Sequence, residues 1–428
     1  MLNGNRAQGL WNHTAPPAPE APVHVGGISV DVAIVGAGYT GLSAALYLAQ
    51  HGAKVVVLEA ETVGFGAAGR STGLVNAGLW LLPDELAARL GPEYGERLLA
   101  LLADAPRLVL DLIETHGIQC ELERSGTLQC AVDARGLQAI RVRAEQWIRR
   151  GAPVELLDAH TTARKVGSAS FCGALLDKRT GTIQPLAYVR GLARAAIEAG
   201  ASVYTRSPVI ALAEEGTHWR VWTPNGHALA HWVIVATDAY TRGLWPTLRR
   251  EFTYLPYFNV ATRPLDKALR ESILPERQGM TDTGTVMSSV RLDQAGRLIV
   301  GSIGALRGTG SSVHMAWAKR TIRKLFPQVT DVELEYAWHG SIGMTDTHLP
   351  RFHRPAPQVL SISGYNGRGI AAGTVFGRLL GKLILDEIDE CEMPLPLTEP
   401  RDAKFRNVRS LYYSLGSQIA HLADARIG

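Results

Sequence analysis

Residues 30–59, VDVAIVGAGYTGLSAALYLAQHGAKVVVLE, constrain the fold of this chain more than any other stretch. Val30 to Val35 is a short apolar run rich in β-branched residues, the pattern of a strand buried on both faces. Gly36, Gly38 and Gly41 follow at GxGxxG spacing. The first glycine permits a tight turn, the second lets backbone approach a pyrophosphate, and the third lets the next helix pack close to the strand. Leu42, Ala45, Leu46, Leu48 and Ala49 carry that helix, and Gly52 stops it. Lys54 to Leu58 reads as a second strand that ends at Glu59. That carboxylate lies about 20 residues beyond the glycines, where a ribose hydroxyl needs an acceptor. The helix N-terminus offers free N–H groups and positive potential to phosphates. A lone GxGxxG also fits an ordinary strand–helix–strand crossover with an unused turn, but here every part of the dinucleotide pattern occurs in order.

Two further glycine-rich stretches fit the same site. Residues 62–80, TVGFGAAGRSTGLVNAGLW, suit neither a long helix nor a regular strand, and such a loop can follow a ligand closely. In it Arg70 can face phosphate, and Ser71 and Thr72 can donate hydrogen bonds; the alternative is a flexible surface loop. Val359 to Ser363 reads as a strand, 364–369 (GYNGRG) as a turn, and Ile370 to Ile388 as a helix with Gly373, Gly377 and Gly381 four apart. That spacing lets a helix pack tightly on a sheet or cofactor, and its N-terminus is a second place that stabilises an anion.

At 428 residues the chain has room for two domains with full cores. A hydrophobic content of 46% describes a soluble globular protein, and a net charge of +4 is too small to argue for nucleic acid. Cys120, Cys130, Cys172 and Cys391 are scattered without a CxxC pair, so no metal site or disulfide framework is expected, and reduced thiols suit a cytoplasmic protein. The N-terminus shows no secretory signal, and no apolar run reaches the ~18 residues of a membrane span.

Between the glycine stretches the pattern alternates. Residues 1–27, with Pro16, Pro17, Pro19 and Pro22, read as an extended arm that Trp11 anchors in a groove. Residues 84–118 read as helices, 126–132 as a strand, and 135–151 as an amphipathic helix with Leu137, Ile140, Trp147 and Ile148 on one side and arginines on a solvated face. Pro185 to Ala199 is a helix; Ala201 to Tyr204 and Val209 to Leu212 are strands. Pro224-Asn225-Gly226 turns a hairpin, and Trp232 to Ala236 is a buried strand. Residues 250–305 carry short alternating strands of an antiparallel sheet, 313–326 a helix, and Val332 to Trp338 a strand. The expected architecture is a two-domain α/β and α+β protein. A discontinuous Rossmann-like cofactor domain (28–84, 175–245 and 350–390) holds an inserted, mostly antiparallel substrate domain (85–174 and 246–349). The arm precedes them, and 391–428 form a C-terminal extension with a helix.

Together these residues resemble the D-amino-acid oxidase superfamily of flavoproteins. The resemblance rests on residues 31–60 with the following GFGAAGRSTG, on WVIVATDAY (232–240), on WHGSIGMTDTHLP (338–350) and on ISGYNGRGIAAGTVFGRLLGKLI (362–384). LWNHTAPPAPEAPV and GYTGLSAAL are similar to its γ-glutamylputrescine oxidase branch. The resemblance implies FAD, and no residue for a covalent link is identifiable, so it is expected to be non-covalent. It assigns the pyrophosphate to Gly36, Gly38, Tyr39, Thr40 and Gly41, and the ribose to Glu59 beside Ala60. Ala67, Ala68, Gly69, Arg70, Ser71, Thr72, Gly73 and Leu74 follow along the pyrophosphate and flavin. Val209 contacts adenine, Ala236 and Thr237 pass near the nucleotide, Gly340 adjoins the flavin, and Asn366, Gly367, Arg368, Gly369 and Ile370 cap its pyrimidine.

The resemblance also implies the reaction: hydride leaves the carbon beside an amine nitrogen, and the imine hydrolyses to a carbonyl compound and an amine. The expected partners are a γ-glutamylputrescine-like or other secondary amine, and molecular oxygen or an electron carrier. Amino-acid oxidases of the superfamily often carry an arginine shortly after Trp-x-Gly; here Trp338-His339-Gly340 leads to Ser341-Ile342-Gly343-Met344, which weakens an α-amino-acid assignment. Asp238 stands where the family more often has Gly or Asn. Arg291, on a strand before a turn, is expected to reach the pocket and bind an anionic end of the substrate; the alternative is a surface arginine. His339 is either a pocket histidine or a structural one. Asn76 and Trp80 are candidates for the pocket roof, and Tyr257 and Phe258 for an aromatic wall, or all four are plain core. Two rival readings remain: an amino-acid or imino-acid dehydrogenase feeding a respiratory carrier, and a non-catalytic flavin-binding subunit.

Overall fold

The computed structural model describes residues 9–423. Its frame is two eight-stranded sheets. In the first, Gly26–Val35 lies centrally, paired in parallel with Gly226–Val235 and with Val55–Leu58. Ser202–Tyr204 extends the sheet beyond Val55–Leu58, and Val359–Ser363 extends it beyond Gly226–Val235, both in parallel. Parallel strands are buried on both faces, which is why Val32, Ala33, Ile34, Val55, Val56 and Val57 are all buried. The second sheet runs Leu334–Met344, Thr253–Pro264, Arg297–Ile303, Ser288–Leu292, Gly279–Asp282, Thr127–Ala131, Gly173–Asp177, Val154–Asp158. Only Gly279–Asp282 and Thr127–Ala131 pair in parallel within it.

The helix Tyr39–Gln50 is buried along almost its whole length. The reason is the helix Gly369–Ile384, which packs on it through its glycines. A Cβ at Gly377 would lie 2.3 Å from the Thr40 carbonyl oxygen, and one at Gly381 would lie 2.9 Å from Tyr47. Ser43 Oγ donates to the Thr374 carbonyl at 2.6 Å and Thr40 Oγ1 pairs with Tyr365 Oη at 2.7 Å. The four-residue glycine spacing therefore serves helix–helix contact, and it brings two helix N-termini side by side.

Several expectations change. The arm is not extended throughout: Gly9–Thr14 is helical, and Trp11 is completely buried, edge-on to Trp338. The hairpin arm after Asn225 and the buried strand are one ten-residue strand, because its first half pairs with His218–Thr223 while its whole length follows Gly26–Val35. The strand expected at Val209 begins at Ala211. The strand expected to stop at Trp338 continues to Met344, since Thr253–Pro264 supplies a backbone partner along it. On the helix Ala134–Arg149, Ile148 faces solvent, whereas Arg143 turns inward to backbone carbonyls.

The C-terminal helix Arg406–Ala423 docks on the second sheet through a pair of buried histidines. His314 Nδ1 and His421 Nδ1 are 2.8 Å apart, and the His421 ring stacks on Trp317 at 4.1 Å. Burial holds both imidazoles low, His314 at about 4 and His421, beside His314 and Arg320, at about 3. Both are neutral when docked, while the released histidines would take up protons from about pH 6.5 downward. Docking is therefore fully stable above that pH and weakens as pH falls through that value toward 4. Trp317 fluorescence is expected to change between about pH 6 and about pH 4 in the native chain and not in a His314→Phe/His421→Phe double variant. An equal change in both proteins would remove the histidines from the account.

Candidate functional site

A cavity of about 920 Å³ lies between the two sheets, at the upper end of the range for cofactor sites. Val35, Leu58 and Val235, at the carboxyl ends of the central parallel strands, form its floor, where open α/β sheets bind ligands. The first glycine turn and the second face this one cavity, since both Gly38 and Gly367 line it. A Cβ at Gly38 would meet nothing within 4 Å, so the space beside it is open to a ligand. Gly41 and Gly69 are not in the wall. A Cβ at Gly41 would lie 2.1 Å from the Gly36 carbonyl oxygen, and one at Gly69 would lie 2.3 Å from that of Gly64. These two are packing glycines.

Glu59 sits at the end of Val55–Leu58 and lines the cavity. Its Oε2 accepts from the Ala37 N–H at 2.8 Å and its Oε1 from the Glu61 N–H at 2.9 Å. Burial nevertheless pushes its carboxyl up, and a donor such as a ribose hydroxyl would offset that cost. Val209, Ala60, Ala236 and Thr237 line the cavity as well.

Asp238 has a physical explanation. Its φ is +39°, a conformation that favours Gly, Asn and Asp. Its Oδ1 accepts from the Gly364 N–H at 2.7 Å, tying the 236–240 turn to the second glycine turn. Asn366, also at positive φ, uses its side chain internally: Oδ1 accepts from the Thr345 N–H and Nδ2 donates to the Gly364 carbonyl.

Trp80 and Asn76 line the cavity, as expected for a roof. Trp80 Nε1 donates to the Asn366 carbonyl at 2.9 Å. Arg368 differs from its expectation: it is not in the cavity wall. Its guanidinium lies 4.2 Å over the Trp80 ring and donates to the Ala77 carbonyl at 2.9 Å. Arg143, counted by pattern as solvated, donates to the carbonyls of Leu79, Trp80 and Leu81. Two arginines therefore brace the roof from behind.

The loop 70–74 is held by its carbonyls. Arg70 O accepts from Asn259 Nδ2 at 3.1 Å and Trp338 Nε1 at 3.0 Å; Ser71 O accepts from Trp11 Nε1 at 2.8 Å. Thr72 O, Gly73 O and Ile183 O accept from Arg291 Nη1. Arg291 is completely buried and does not line the cavity, which corrects the expectation that it reaches substrate. Burial lowers its pKa to about 10 against the opposing pull of Glu121 and Asp293. His339 is likewise outside the wall, and its carbonyl accepts from Arg70 Nη1. Phe258 is core, stacked on His314, while Tyr257 lines the cavity. Arg70, Ser71, Thr72, Gly73 and Leu74 all line it, with Ala67, Ala68, Tyr39, Thr40, Gly340, Gly369 and Ile370. Arg70 packs over Phe65 at 4.6 Å and donates through Nε to the Phe65 carbonyl.

The family model described as DAO, FAD dependent oxidoreductase, matches residues 31–383. The chain is 31% identical to the γ-glutamylputrescine oxidoreductase of Escherichia coli K12, covering 92% of this chain and 94% of that one. It is 29% identical to the probable oxidoreductase OrdL of Haemophilus influenzae, covering 92% of each. The structure superposes on glycine oxidase from Bacillus cereus with a TM-score of 0.70 at 19% identity, covering 88% of this chain and all of that one.

Proposed function

The chain belongs to the DAO family of FAD-dependent oxidoreductases, and from that premise we propose that it oxidises the carbon–nitrogen bond of an amine, either the terminal amine of a γ-glutamylputrescine-like compound or a secondary amine. One observation carries the choice of an amine over an α-amino acid. The second sheet contributes Leu255, Tyr257, Thr281, Ser289 and Ile303 to the cavity wall, with Gly340, Ser341, Ile342 and Met344 from its edge strand, but neither lysine nor arginine. The wall's arginines, Arg70 and Arg242, come from loops of the first sheet, where Arg70 is held by the Phe65 and His339 carbonyls and Arg242 faces Glu61. An α-carboxylate would have no cation on the second sheet to pair with.

Bound FAD would accept the hydride. The pyrophosphate would lie against Gly36, Gly38, Tyr39 and Thr40 at a helix N-terminus, and the ribose against Glu59. The loop 67–74 and Ala236–Thr237 would follow the rest of the cofactor. Asn366, Gly367, Gly369 and Ile370 would place the second helix N-terminus at the ring's electron-rich end. The first sheet would then form the cofactor domain and the second sheet the substrate domain. Burial in the cavity would favour the neutral amine, the form from which hydride leaves. Loss of that hydride and of the amine proton gives the imine, which water cleaves to an aldehyde and ammonia or, from a secondary amine, an aldehyde and the smaller amine.

The test is anaerobic bleaching of the flavin. γ-Glutamylputrescine is expected to reduce it, and glycine, proline and D-alanine are not. Reduction by the amino acids and by no amine would sink the proposal. Re-oxidation in air with stoichiometric peroxide identifies an oxidase; reduction of a dye without peroxide identifies a dehydrogenase. Acid precipitation is expected to leave the flavin in the supernatant, as a non-covalent cofactor.

A further inference from the structure

Four polar side chains from three separate segments form one buried chain of hydrogen bonds beside the cavity. Tyr257 Oη is 2.8 Å from Ser289 Oγ, which is 3.0 Å from Thr72 Oγ1, which donates to Asn259 Oδ1 at 2.9 Å. Asn259 Nδ2 in turn donates to the Arg70 carbonyl at 3.1 Å. Tyr257, Ser289 and Thr72 line the cavity, and Asn259 is completely buried behind them.

Proton bookkeeping fixes the direction of this chain. The Arg70 carbonyl can only accept, so the asparagine amide must turn its nitrogen toward it and its oxygen toward Thr72. Asn259 Oδ1 can only accept, so Thr72 spends its single hydroxyl hydrogen there. Ser289 must then donate to Thr72, and Tyr257 must donate to Ser289. The phenol hydrogen is used up inside the protein, and what Tyr257 has left for the cavity is lone pairs. Burial pushes the Tyr257 hydroxyl well above its ordinary range, so it stays a neutral phenol.

The packing protects this arrangement. A Cβ on Gly301 would lie 2.3 Å from Asn259 Oδ1 and 2.8 Å from both Ser289 Oγ and Tyr257 Cε1. Glycine at that position leaves the room in which the chain sits.

We propose that Tyr257 is the group that receives the substrate nitrogen, offering an oxygen that can only accept, so that the pocket selects ligands with an N–H over isosteric ligands that merely accept. The proposal rests on the amine reading above and deepens it. Tyr257 touches substrate; Ser289, Thr72 and Asn259 are positioning residues that dictate which way its hydrogen points.

The test uses holoenzyme and two probes of equal size, dipropylamine and dipropyl ether. Dissociation constants are read from the absorbance change on rapid anaerobic mixing, before any flavin reduction. Tyr257→Phe is expected to weaken the amine by about 10- to 100-fold, as for a buried N–H left without its acceptor, and to leave the ether within about twofold. Ser289→Ala frees the phenol hydrogen to point into the cavity, so the ether is expected to tighten and the amine-to-ether preference to fall by about tenfold. The charge difference between the probes is common to every protein compared and cancels. A Tyr257→Phe enzyme that binds the amine as well as the native one, or a Ser289→Ala enzyme with an unchanged preference, overturns the proposal and leaves the amine reading standing. A Tyr257→Phe protein that loses its flavin also overturns it, by making the residue part of the cofactor wall. Native flavin that responds to neither probe nor to γ-glutamylputrescine ends the amine reading and this proposal with it.

Discussion

Gly41→Val is expected to yield a chain that folds poorly and keeps no flavin. Even the first carbon of the new side chain would lie 2.1 Å from the Gly36 carbonyl oxygen and 3.2 Å from Ile34 Cγ2. The first is backbone and the second the branch of a fully buried β-branched side chain, in the strand and turn proposed to carry the cofactor, so neither can swing away as a long flexible side chain does. The helix Tyr39–Gln50 must back off the sheet instead. It cannot do so freely, because Gly377 already holds Thr40 at a distance where a Cβ would not fit. Overpacking of this kind costs about 1–3 kcal/mol. Displacing the helix also carries the N–H groups at its start away from where phosphate would bind. A cofactor present at a thousand times its dissociation constant contributes about 4 kcal/mol to stability, and the variant loses that as well. Together these are a large share of the roughly 5–15 kcal/mol that holds a domain folded. Flavin content per chain and the urea midpoint check it. A yellow Gly41→Val protein with native stoichiometry would show that this turn does not carry the cofactor.

Gly41 was legible in the sequence because its role is set by backbone chemistry within a dozen residues: strand, turn and helix follow one another, and each glycine answers a local steric demand. The same holds for Glu59, Asn366 and Gly367. What pattern could not supply is which side of a strand meets which layer. Arg291 and Ser289 are two apart on one strand and so share a face, yet Ser289 reaches the cavity while Arg291 ends among carbonyls behind the loop. Alternation tells faces apart but not positions along a face. Arg143 departs from the solvated face for a related reason. A long cationic side chain on an amphipathic helix is ordinarily solvated, but its stem is long enough to reach the bare carbonyls of a neighbouring loop. Asp238 fits its place through its positive φ and its bond to Gly364, neither of which pattern carries. The chain from Tyr257 to Asn259 left no trace in the sequence, since Thr72 lies 187 residues from Asn259 and 217 from Ser289.

Arg291→Met therefore makes the opposite prediction to the one a pocket arginine would make. A substrate-binding arginine, when lost, raises KM and leaves the cofactor in place. Here the guanidinium donates to Ile183, Thr72 and Gly73 carbonyls and lies 5.6 Å from the Trp11 ring centre. Methionine can fill the volume but supplies no donor; Gly73 O keeps the Ile183 N–H at 2.9 Å, while the Thr72 and Ile183 carbonyls lose the guanidinium at about 1–3 kcal/mol for each one that finds no other partner. Glu121 and Asp293 lose a neighbouring cation at the same time. The loop whose carbonyls are released is the one that lines the cavity from Arg70 to Leu74. The expected result is a fall in stability of about 3–5 kcal/mol, the scale for removing one member of a buried charged cluster. Flavin affinity is expected to weaken with it, while KM of fully flavin-saturated enzyme changes little. A variant with native stability and flavin content but a KM raised tenfold would return Arg291 to the substrate, and would mean that the cavity extends behind the loop in the working enzyme.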